Sequence, residues 1–295
     1  MNFHTEYIPS SKLLTLSPEK PTLLIGSCFS QNMTAKMREH GWEASNIAGT
    51  LYNPLSIALV IDILLDLSNG IDRFIDSLSI YNGVWNSSLF DSSFSSLNRD
   101  DSIAHFRNSQ ILFNDFLSRG QQLILTFGTS ICYFDIESKQ AVGNCHKKPS
   151  NSFSKRRLTV EEISSIWEKS IKKLKDKYPD LKIIFTVSPV RHLKDGFVGN
   201  ALSKSVLLLA VEEICNNNNT IYFPAFEIIN DDLRDYRFYA NDLVHPSDSA
   251  IQYIWEKFIE SFLSPQGIKF IEEESKKIKA RNHRPHPGAL GNPLS

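Results

Sequence analysis

Short apolar runs that alternate with helix-like stretches constrain the fold of this chain more than any other feature of its sequence. Mostly apolar runs of three to six residues that end at glycine, serine or proline are typical of buried strands. The runs are Leu23-Leu24-Ile25 before Gly26, QLILTF (122–127) before Gly128, KIIFTV (182–187) before Ser188-Pro189, and Thr220 to Phe223 before Pro224.

Between these runs, apolar residues recur every three or four positions, which is the spacing of an amphipathic helix. Strand and helix alternating along most of the chain predict an α/β fold, a three-layer α/β/α sandwich around a short, mainly parallel sheet. In such sheets, functional residues gather at the carboxyl ends of the strands. The clearest helical stripes are Phe29, Met33 and Met37; Ile163, Ile166, Trp167, Ile171 and Leu174; and Ile251, Ile254, Trp255, Phe258 and Phe262.

Two regions lack this alternation. Residues 68–118 are rich in Ser, Asn and Asp, with aromatic residues that follow no period, and we interpret them as an irregular insertion. From residue 264 the sequence is charged and then rich in Pro, Gly and Asn, which predicts a C-terminal tail over 264–295 that either wraps the body or is disordered. We expect the remainder, residues 1–263, to form a single domain.

Charge and composition narrow the class of protein. The net charge is -1, from 32 basic and 33 acidic residues, so no field of one sign favours nucleic acid or an anionic membrane. No apolar run approaches the roughly 20 residues that span a bilayer, and the N-terminus does not resemble a signal peptide, so we expect a cytoplasmic protein without a membrane partner. The 4 cysteines include no C-x-x-C pair, which disfavours a zinc site.

Ser27 is the first candidate for chemistry, because it follows Gly26 between the first strand and the first helix. A helix N-terminus gives a hydroxyl positive potential and free backbone N–H groups, so a serine there can attack a carbonyl and donate its own N–H to the oxyanion. The alternative is an ordinary N-cap serine. Cys28 is a rival nucleophile, with a small buried thiol as its alternative.

His245 is the second candidate, in the sequence DLVHPS just before the last strong helical stripe. Asp242 precedes it by three residues, so the acid can hold one ring nitrogen while the other faces a nucleophile. An exposed loop histidine beside an unrelated acid is the alternative. Together, an early Gly-Ser at a strand end and a late D-x-x-H are the two ends of a serine hydrolase arrangement.

These two blocks resemble those of the SGNH or GDSL-like hydrolases, and GSCFS (26–30) resembles the signature of the GSCFA-domain family, with Ser30 where that signature has Ala. The resemblance extends over about residues 2–260. Further matching stretches are NIAGTLYNP (46–54), TFGTSICY (126–133), GNCHK (143–147), TVSPVRH (186–192) and YFPAFEIINDDLRDYRFYANDLVHPS (222–247).

The resemblance implies an SGNH-like fold, Ser27 as nucleophile and Asp242–His245 as its base. It also implies an oxyanion hole, for which Ser27 and Gly49 supply backbone N–H groups. The third block usually places Asn two residues after a strand-end Gly, but here Gly128 is followed by Thr129 and Ser130. Asn144 is our candidate for the missing donor. Asn53 and a backbone N–H at Thr129 or Ser130 are the alternatives.

Several other residues are candidates for the lining of the pocket, each with a structural alternative as a turn, capping or loop residue. His146 beside Cys145 also suggests a metal, but no second ligand pair has the spacing of a zinc site. We therefore expect neither a metal nor a cofactor. The pocket candidates are Asn53, Gly128, Thr129, His146 and His192.

The sequence predicts a serine esterase of the SGNH type that hydrolyses an acyl or acetyl ester on a carbohydrate or another small molecule. Three alternatives stay open: an acyltransferase with the same triad, a non-catalytic binding or scaffold protein with this fold, and a thiol enzyme with Cys28 as nucleophile. Neither the substrate nor the oligomeric state follows from the sequence.

Overall fold

The computed structural model describes residues 5–9 and 14–282. Its strands, in chain order, are β1 (Thr22–Gly26), β2 (Ala44–Ser45), β3 (Leu78–Tyr81), β4 (Val84–Ser87), β5 (Gln122–Phe127), β6 (Ile131–Asp135), β7 (Ala141–Val142), β8 (Phe153–Arg157), β9 (Lys182–Val187) and β10 (Ile221–Phe223). Its helices are α1 (Cys28–Glu39), α2 (Pro54–Leu65), α3 (Gly70–Asp76), α4 (Arg99–Gly120), α5 (Val160–Lys177), α6 (Gly196–Asn218), α7 (Ala225–Glu227), α8 (Asp248–Phe262) and α9 (Pro265–Asn282).

Five strands form the central sheet in the order β10-β9-β5-β1-β2, and every neighbouring pair is parallel. The predicted α/β fold with a mainly parallel sheet is therefore confirmed. Because the strands are parallel, β1, β5, β9 and β10 all end at the same edge of the sheet. The turns after these strands are thus brought together although they lie far apart in sequence.

The two faces of the sheet bury two separate apolar clusters. Leu23 and Ile25 of β1 belong to one cluster, whereas Leu24 belongs to the other, since successive strand residues point to opposite faces. The first cluster includes buried residues of α2, α4, α5 and α6. The second includes residues of α1, α8 and α9. Helices on both faces agree with a three-layer sandwich.

Residues 68–118 differ from the irregular insertion that the sequence predicts. They contain α3, an antiparallel β3–β4 hairpin and the 22-residue helix α4. The period of α4 is obscured because the polar Gln110 occupies a buried position on its inner face, while Ile111 is exposed. The Gln110 amide donates to the carbonyls of Ile63 and Asp66, so its polar group is satisfied although it is buried.

The first part of the predicted C-terminal tail packs against the body as α9. Ile271 is 2% exposed and belongs to the same apolar cluster as α1 and α8. The rest of that predicted tail, residues 283–295, lies outside the described residues. Within the described chain, no helix combines the length and the apolar character that a bilayer crossing requires.

Candidate active site

The turn after β1 is fixed by a glycine. Gly26 has a φ of 143°, and a Cβ there would overlap the Thr126 carbonyl of β5. Only glycine tolerates both the conformation and the close approach of the neighbouring strand. Ser27 follows with an extended backbone and is the N-cap residue of α1. The sequence therefore places this serine at the carboxyl end of β1 and at the start of a helix.

The hydroxyl of Ser27 is buried and has no partner. Ser27 is 1% exposed, and its side chain does not make the capping hydrogen bond that an N-cap serine normally makes. Over residues 5–9 and 14–282, its Oγ makes no hydrogen bond. Buried hydroxyls are usually paired with protein or ordered water, so an unpaired one requires an explanation. The capping interpretation does not provide it.

Asp242 and His245 form a hydrogen-bonded pair. Oδ2 of Asp242 lies 2.6 Å from Nδ1 of His245, and Oδ1 accepts the backbone N–H groups of Val244 and His245 at 2.9 and 3.0 Å. The N–H and side chain of His245, with the N–H of Val244, lower the pKa of Asp242 to about 2. The carboxylate is therefore ionised at every pH at which an esterase is normally assayed.

The loop that carries His245 is held by its own backbone and by the segment after β9. The Ala240 N–H donates to the His245 carbonyl at 2.7 Å, and the Ser247 N–H donates to Phe238 at 2.8 Å. The Arg191 N–H donates to the Val244 carbonyl at 3.1 Å. Ser247 also caps α8 through its side chain. These bonds fix the backbone, while the imidazole itself is about half exposed, at 46%.

Asp242 also acts on the residue beside Ser27. Burial raises the pKa of the Cys28 thiol, and the charge of Asp242 adds to the rise, whereas the N–H groups of Cys28 and Phe29 and the charge of Lys204 oppose it. A raised pKa disfavours the thiolate that a cysteine nucleophile needs. Arg191, which bonds to the His245 loop, follows β9, and Ser27 follows β1, so both segments lie at the same edge of the parallel sheet. No hydrogen bond joins Oγ of Ser27 to the imidazole in this structure.

The predicted backbone donors of the oxyanion hole are only partly free. The Ser27 N–H already donates to the Thr126 carbonyl at 3.2 Å. Gly49 has a φ of 69°, and the Asp91 carboxylate occupies the space that a Cβ would fill, so glycine is required there as well. Within the described residues the Gly49 N–H makes no hydrogen bond. Its loop is held beside β1 because the N–H of Leu51 donates to the Gly26 carbonyl at 2.8 Å.

The segment Gly128–Ser130 offers no free backbone donor. The N–H groups of Gly128 and Thr129 both donate to the Tyr52 carbonyl, at 2.7 and 3.0 Å, and the Ser130 N–H donates to Ser203 at 2.8 Å. In this structure the backbone N–H groups of Thr129 and Ser130, our alternatives for the missing Asn, are thus already engaged. Gly128 nevertheless lies at the site, because a Cβ there would contact the Cβ of Ser27 at 3.3 Å.

Asn144 and His146 line a cavity of about 650 Å³ between α2, the β3–β4 hairpin and the β6–β8 sheet; Ser27, Asp242 and His245 do not line it. The Asn144 side-chain oxygen accepts the His146 N–H at 2.8 Å, which leaves the amide N–H groups without a partner in the described chain. The His146 ring lies 2.6 Å from the Ser87 carbonyl and 3.1 Å from that of Phe90, which indicates a structural role. No group of three metal-binding side chains occurs among the described residues.

The other two pocket candidates have local roles. Asn53 is 5% exposed and caps α2, because its side-chain oxygen accepts the Ser56 N–H and its amide donates to the Ser56 hydroxyl. His192 follows β9, where its N–H donates to Asn200 and its ring lies 3.8 Å from Asp195. Burial lowers the pKa of His192, which keeps the imidazole neutral at neutral pH.

One residue at this edge was missed in the sequence. Lys204 of α6 is 1% exposed, and its Nζ donates to the carbonyls of Gly128 and Ser188 at 2.7 Å each. Lys204 lies on the same helical stripe as Leu207, Val211 and Ile214, all of them buried. The position of a lysine in an apolar helical stripe could have identified this residue from the sequence. Such a lysine is buried only when polar groups accept hydrogen bonds from its amine.

A comparison with protein-family models matches the GSCFA family over residues 21–258. The chain belongs to the GSCFA family. The matched span includes Ser27, Gly49, Asn144, Asp242 and His245. A comparison with curated proteins gives no match. Membership of the GSCFA family does not by itself assign a reaction, so the function is argued from the residues of the site.

Proposed function

We propose that this GSCFA protein is a serine esterase of the SGNH type. In the first step the Ser27 Oγ attacks the ester carbonyl, His245 Nε2 accepts the hydroxyl proton, and the protonated imidazole returns that proton to the departing alcohol. In the second step His245 takes a proton from water as the water oxygen attacks the acyl-Ser27 carbonyl; the bond to Oγ then breaks, the imidazolium returns its proton to Ser27 Oγ, and the acid is released. Asp242 orients the imidazole and stabilises its charged form.

The observation that carries this proposal is the buried, unpaired hydroxyl of Ser27 at the turn from β1 to α1. A structural serine at this position gains about 1 kcal/mol from capping the helix, yet Ser27 does not cap it. A nucleophile, in contrast, must keep its hydroxyl available for the base and the substrate. Because the hydroxyl is fully buried in this structure, substrate reaches it only when the residues that cover it move aside.

The Asp242–His245 pair supports the same proposal. Nδ1 of His245 is held by the carboxylate, and Nε2 makes no hydrogen bond to the described residues, so this nitrogen is available to accept a proton. Catalytic hydrogen bonds are often long without substrate and tighten in the Michaelis complex. We expect substrate binding to bring the half-exposed imidazole to the Ser27 hydroxyl.

For the oxyanion hole we propose the Gly49 N–H, whose loop is held beside β1, and as a second donor the Asn144 amide, which must turn from the cavity that it lines toward Ser27 when substrate binds. The Ser27 N–H joins them if it exchanges its 3.2 Å bond to Thr126 for the substrate oxygen. We expect the substrate to be an acyl or acetyl ester of a carbohydrate or another small molecule, and the proposed steps use no cofactor.

Hydrolysis of p-nitrophenyl acetate by matched variants tests the proposal. We expect Ser27→Ala to abolish turnover and Cys28→Ala to retain most of it, since the two residues are adjacent and similar in size but only Ser27 has the free hydroxyl. Far-UV circular dichroism verifies that both variants are folded. If Ser27→Ala stays active and iodoacetamide inactivates the enzyme, Cys28 is the nucleophile and the proposal is wrong.

A further inference from the structure

Lys204 contacts the ends of two neighbouring strands at once. Its Nζ lies 2.7 Å from the Gly128 carbonyl, just after β5, and 2.7 Å from the Ser188 carbonyl, just after β9. The side chain is 1% exposed, and no carboxylate lies within ion-pair distance of it in the described chain. The proposed mechanism assigns this amine no role, although burying a lysine without an acidic partner is costly.

One of the two contacts leads to the nucleophile. The Gly128 carbonyl belongs to the same peptide group as the Thr129 N–H, which donates to Tyr52 on the opposite side. Lys204 and Tyr52 thus hold this peptide group from both ends. The Tyr52 carbonyl lies in the loop that carries Gly49, and Gly128 packs against the Cβ of Ser27. Lys204 therefore helps to fix the position of Gly128, the residue that packs against the Ser27 side chain.

The other contact leads to the base. The Ser188 N–H donates to the Phe127 carbonyl at 2.8 Å, and the Ser188 hydroxyl accepts the Val190 N–H at 3.2 Å. The next residue, Arg191, donates its N–H to the Val244 carbonyl and its guanidinium to the Leu243 carbonyl. The segment that Lys204 holds is thus the segment that holds the His245 loop.

The charge state of the amine fits this role. A neutral lysine amine carries two N–H groups, one for each carbonyl, whereas an ammonium group would bury a third N–H and a full charge. Burial lowers the pKa of Lys204 to about 7, while the charges of Cys28 and Glu227 oppose that shift. The Phe226 ring lies 5.4 Å from Nζ and supplies an apolar neighbour.

We infer that Lys204 is a positioning residue, which fixes the distance between Ser27 and the Asp242–His245 pair by joining the turns after β5 and β9. The inference rests on the proposed esterase function. It requires no contact between Lys204 and the substrate. The inference explains how Ser27 and the Asp242–His245 pair, which lie on separate loops, are held at a fixed distance although no hydrogen bond joins them directly.

The test compares ester hydrolysis by Lys204→Met with that by Lys257→Met. Methionine keeps the length of the stem and removes the donor, so both carbonyls lose their partner. We expect kcat per folded molecule to fall about 100-fold in Lys204→Met with KM changed by less than about threefold, because a displacement of about 1 Å in a catalytic group has an effect of that size. Lys204→Gln, which restores two N–H groups on a slightly shorter stem, should recover part of kcat.

Lys257 is the matched control, since it is 5% exposed on α8 and bonds to Glu6 and Glu260, away from the site. Lys257→Met should leave kcat per folded molecule unchanged. Should Lys204→Met not fold, Lys204→Gln against wild type gives the decisive comparison. Equal kcat in wild type and the Lys204 variant, or an equal fall in Lys257→Met, overturns the inference. An inactive wild type overturns the esterase proposal instead.

Discussion

At the scale of single residues, the hydroxyl of Ser27 and the imidazole of His245 are held very differently. Ser27 is enclosed by Gly128 and the strand ends, so its backbone and Cβ have little freedom. His245 is oriented through Nδ1 by Asp242 but is about half exposed. In the proposed mechanism Ser27 therefore stays in place. The His245 imidazole moves to within hydrogen-bond distance of its hydroxyl when substrate excludes water.

We predict that His245→Ala lowers kcat about 1000-fold and that Asp242→Asn lowers it about 100-fold, because the first change removes the base and the second removes the carboxylate that orients the imidazole and stabilises its charged form. The pKa of Asp242 is held at about 2, so the carboxylate itself does not titrate between pH 5 and pH 9. Steady-state hydrolysis at several pH values measures both effects. A His245→Ala enzyme with normal kcat contradicts the assignment.

A second residue-scale prediction concerns Asn144. If its free amide stabilises the oxyanion, Asn144→Ala should lower kcat about 100-fold with little change in KM. His146→Ala is the matched control, because it lies in the same loop and lines the same cavity but has its ring engaged with backbone carbonyls. Normal turnover in Asn144→Ala would remove this residue from the site and leave Gly49 as the main donor.

The residues of the site differed in how far the sequence could predict them. Ser27 and the Asp242–His245 pair stood out as candidates because their residue types and local spacing match those of a serine hydrolase. Lys204 did not, because its function depends on two carbonyls that are 76 and 16 residues away in sequence. The engagement of the Gly128 and Thr129 N–H groups by Tyr52 is also a tertiary contact that no local pattern encodes.

At the scale of elements, periodicity predicted those helices whose inner face is wholly apolar. The capping box of α5, in which Thr159 and Glu162 satisfy each other's backbone N–H groups, marked the start of that helix in the sequence. In α4 the buried Gln110 broke the pattern. The β6–β8 sheet was missed because its strands are short and mostly half-exposed, so neither face gives a continuous apolar signal.

The connection between α6 and the strand ends leads to a pH prediction. The pKa of Lys204 is about 7 in the folded chain and about 10.5 in a model peptide, so between these values the unfolded state binds more protons. The stability of wild type relative to Lys204→Met should therefore rise with pH from about 7 to 10, by up to about 1.4 kcal/mol per pH unit. Below pH 7 the difference should be constant.

Urea unfolding of the two proteins at pH 7.0, 8.0 and 9.0 measures this difference. Lys257→Met provides the control, since burial lowers the pKa of Lys257 but the hydrogen bonds that its ammonium group donates to Glu6 and Glu260 outweigh burial and raise that pKa. The difference in free energy of unfolding between Lys257→Met and wild type should not change between pH 7.0 and pH 9.0. If the difference in free energy of unfolding between wild type and Lys204→Met does not change with pH, the Lys204 amine stays charged in the folded chain.

At the scale of the whole molecule, the C-terminal helix is part of the second apolar face. We predict that Ile271→Ala lowers the free energy of unfolding by about 2 to 5 kcal/mol, because it leaves a cavity beside α1 and α8. Glu272→Ala, an exposed change at the next position, should stay within about 0.5 kcal/mol of wild type. Denaturant unfolding compares the two, and equal stabilities would mean that α9 does not pack as described.

The central claim is that Ser27 is an activated nucleophile, and labelling with a fluorophosphonate followed by peptide mapping tests it most directly. The reagent forms a covalent adduct with an activated serine and needs no knowledge of the natural substrate. We predict one adduct, on Ser27, that disappears in Ser27→Ala, slows strongly in His245→Ala and persists in Cys28→Ala. A folded wild type that stays unlabelled, or an adduct on any residue other than Ser27, would contradict the account.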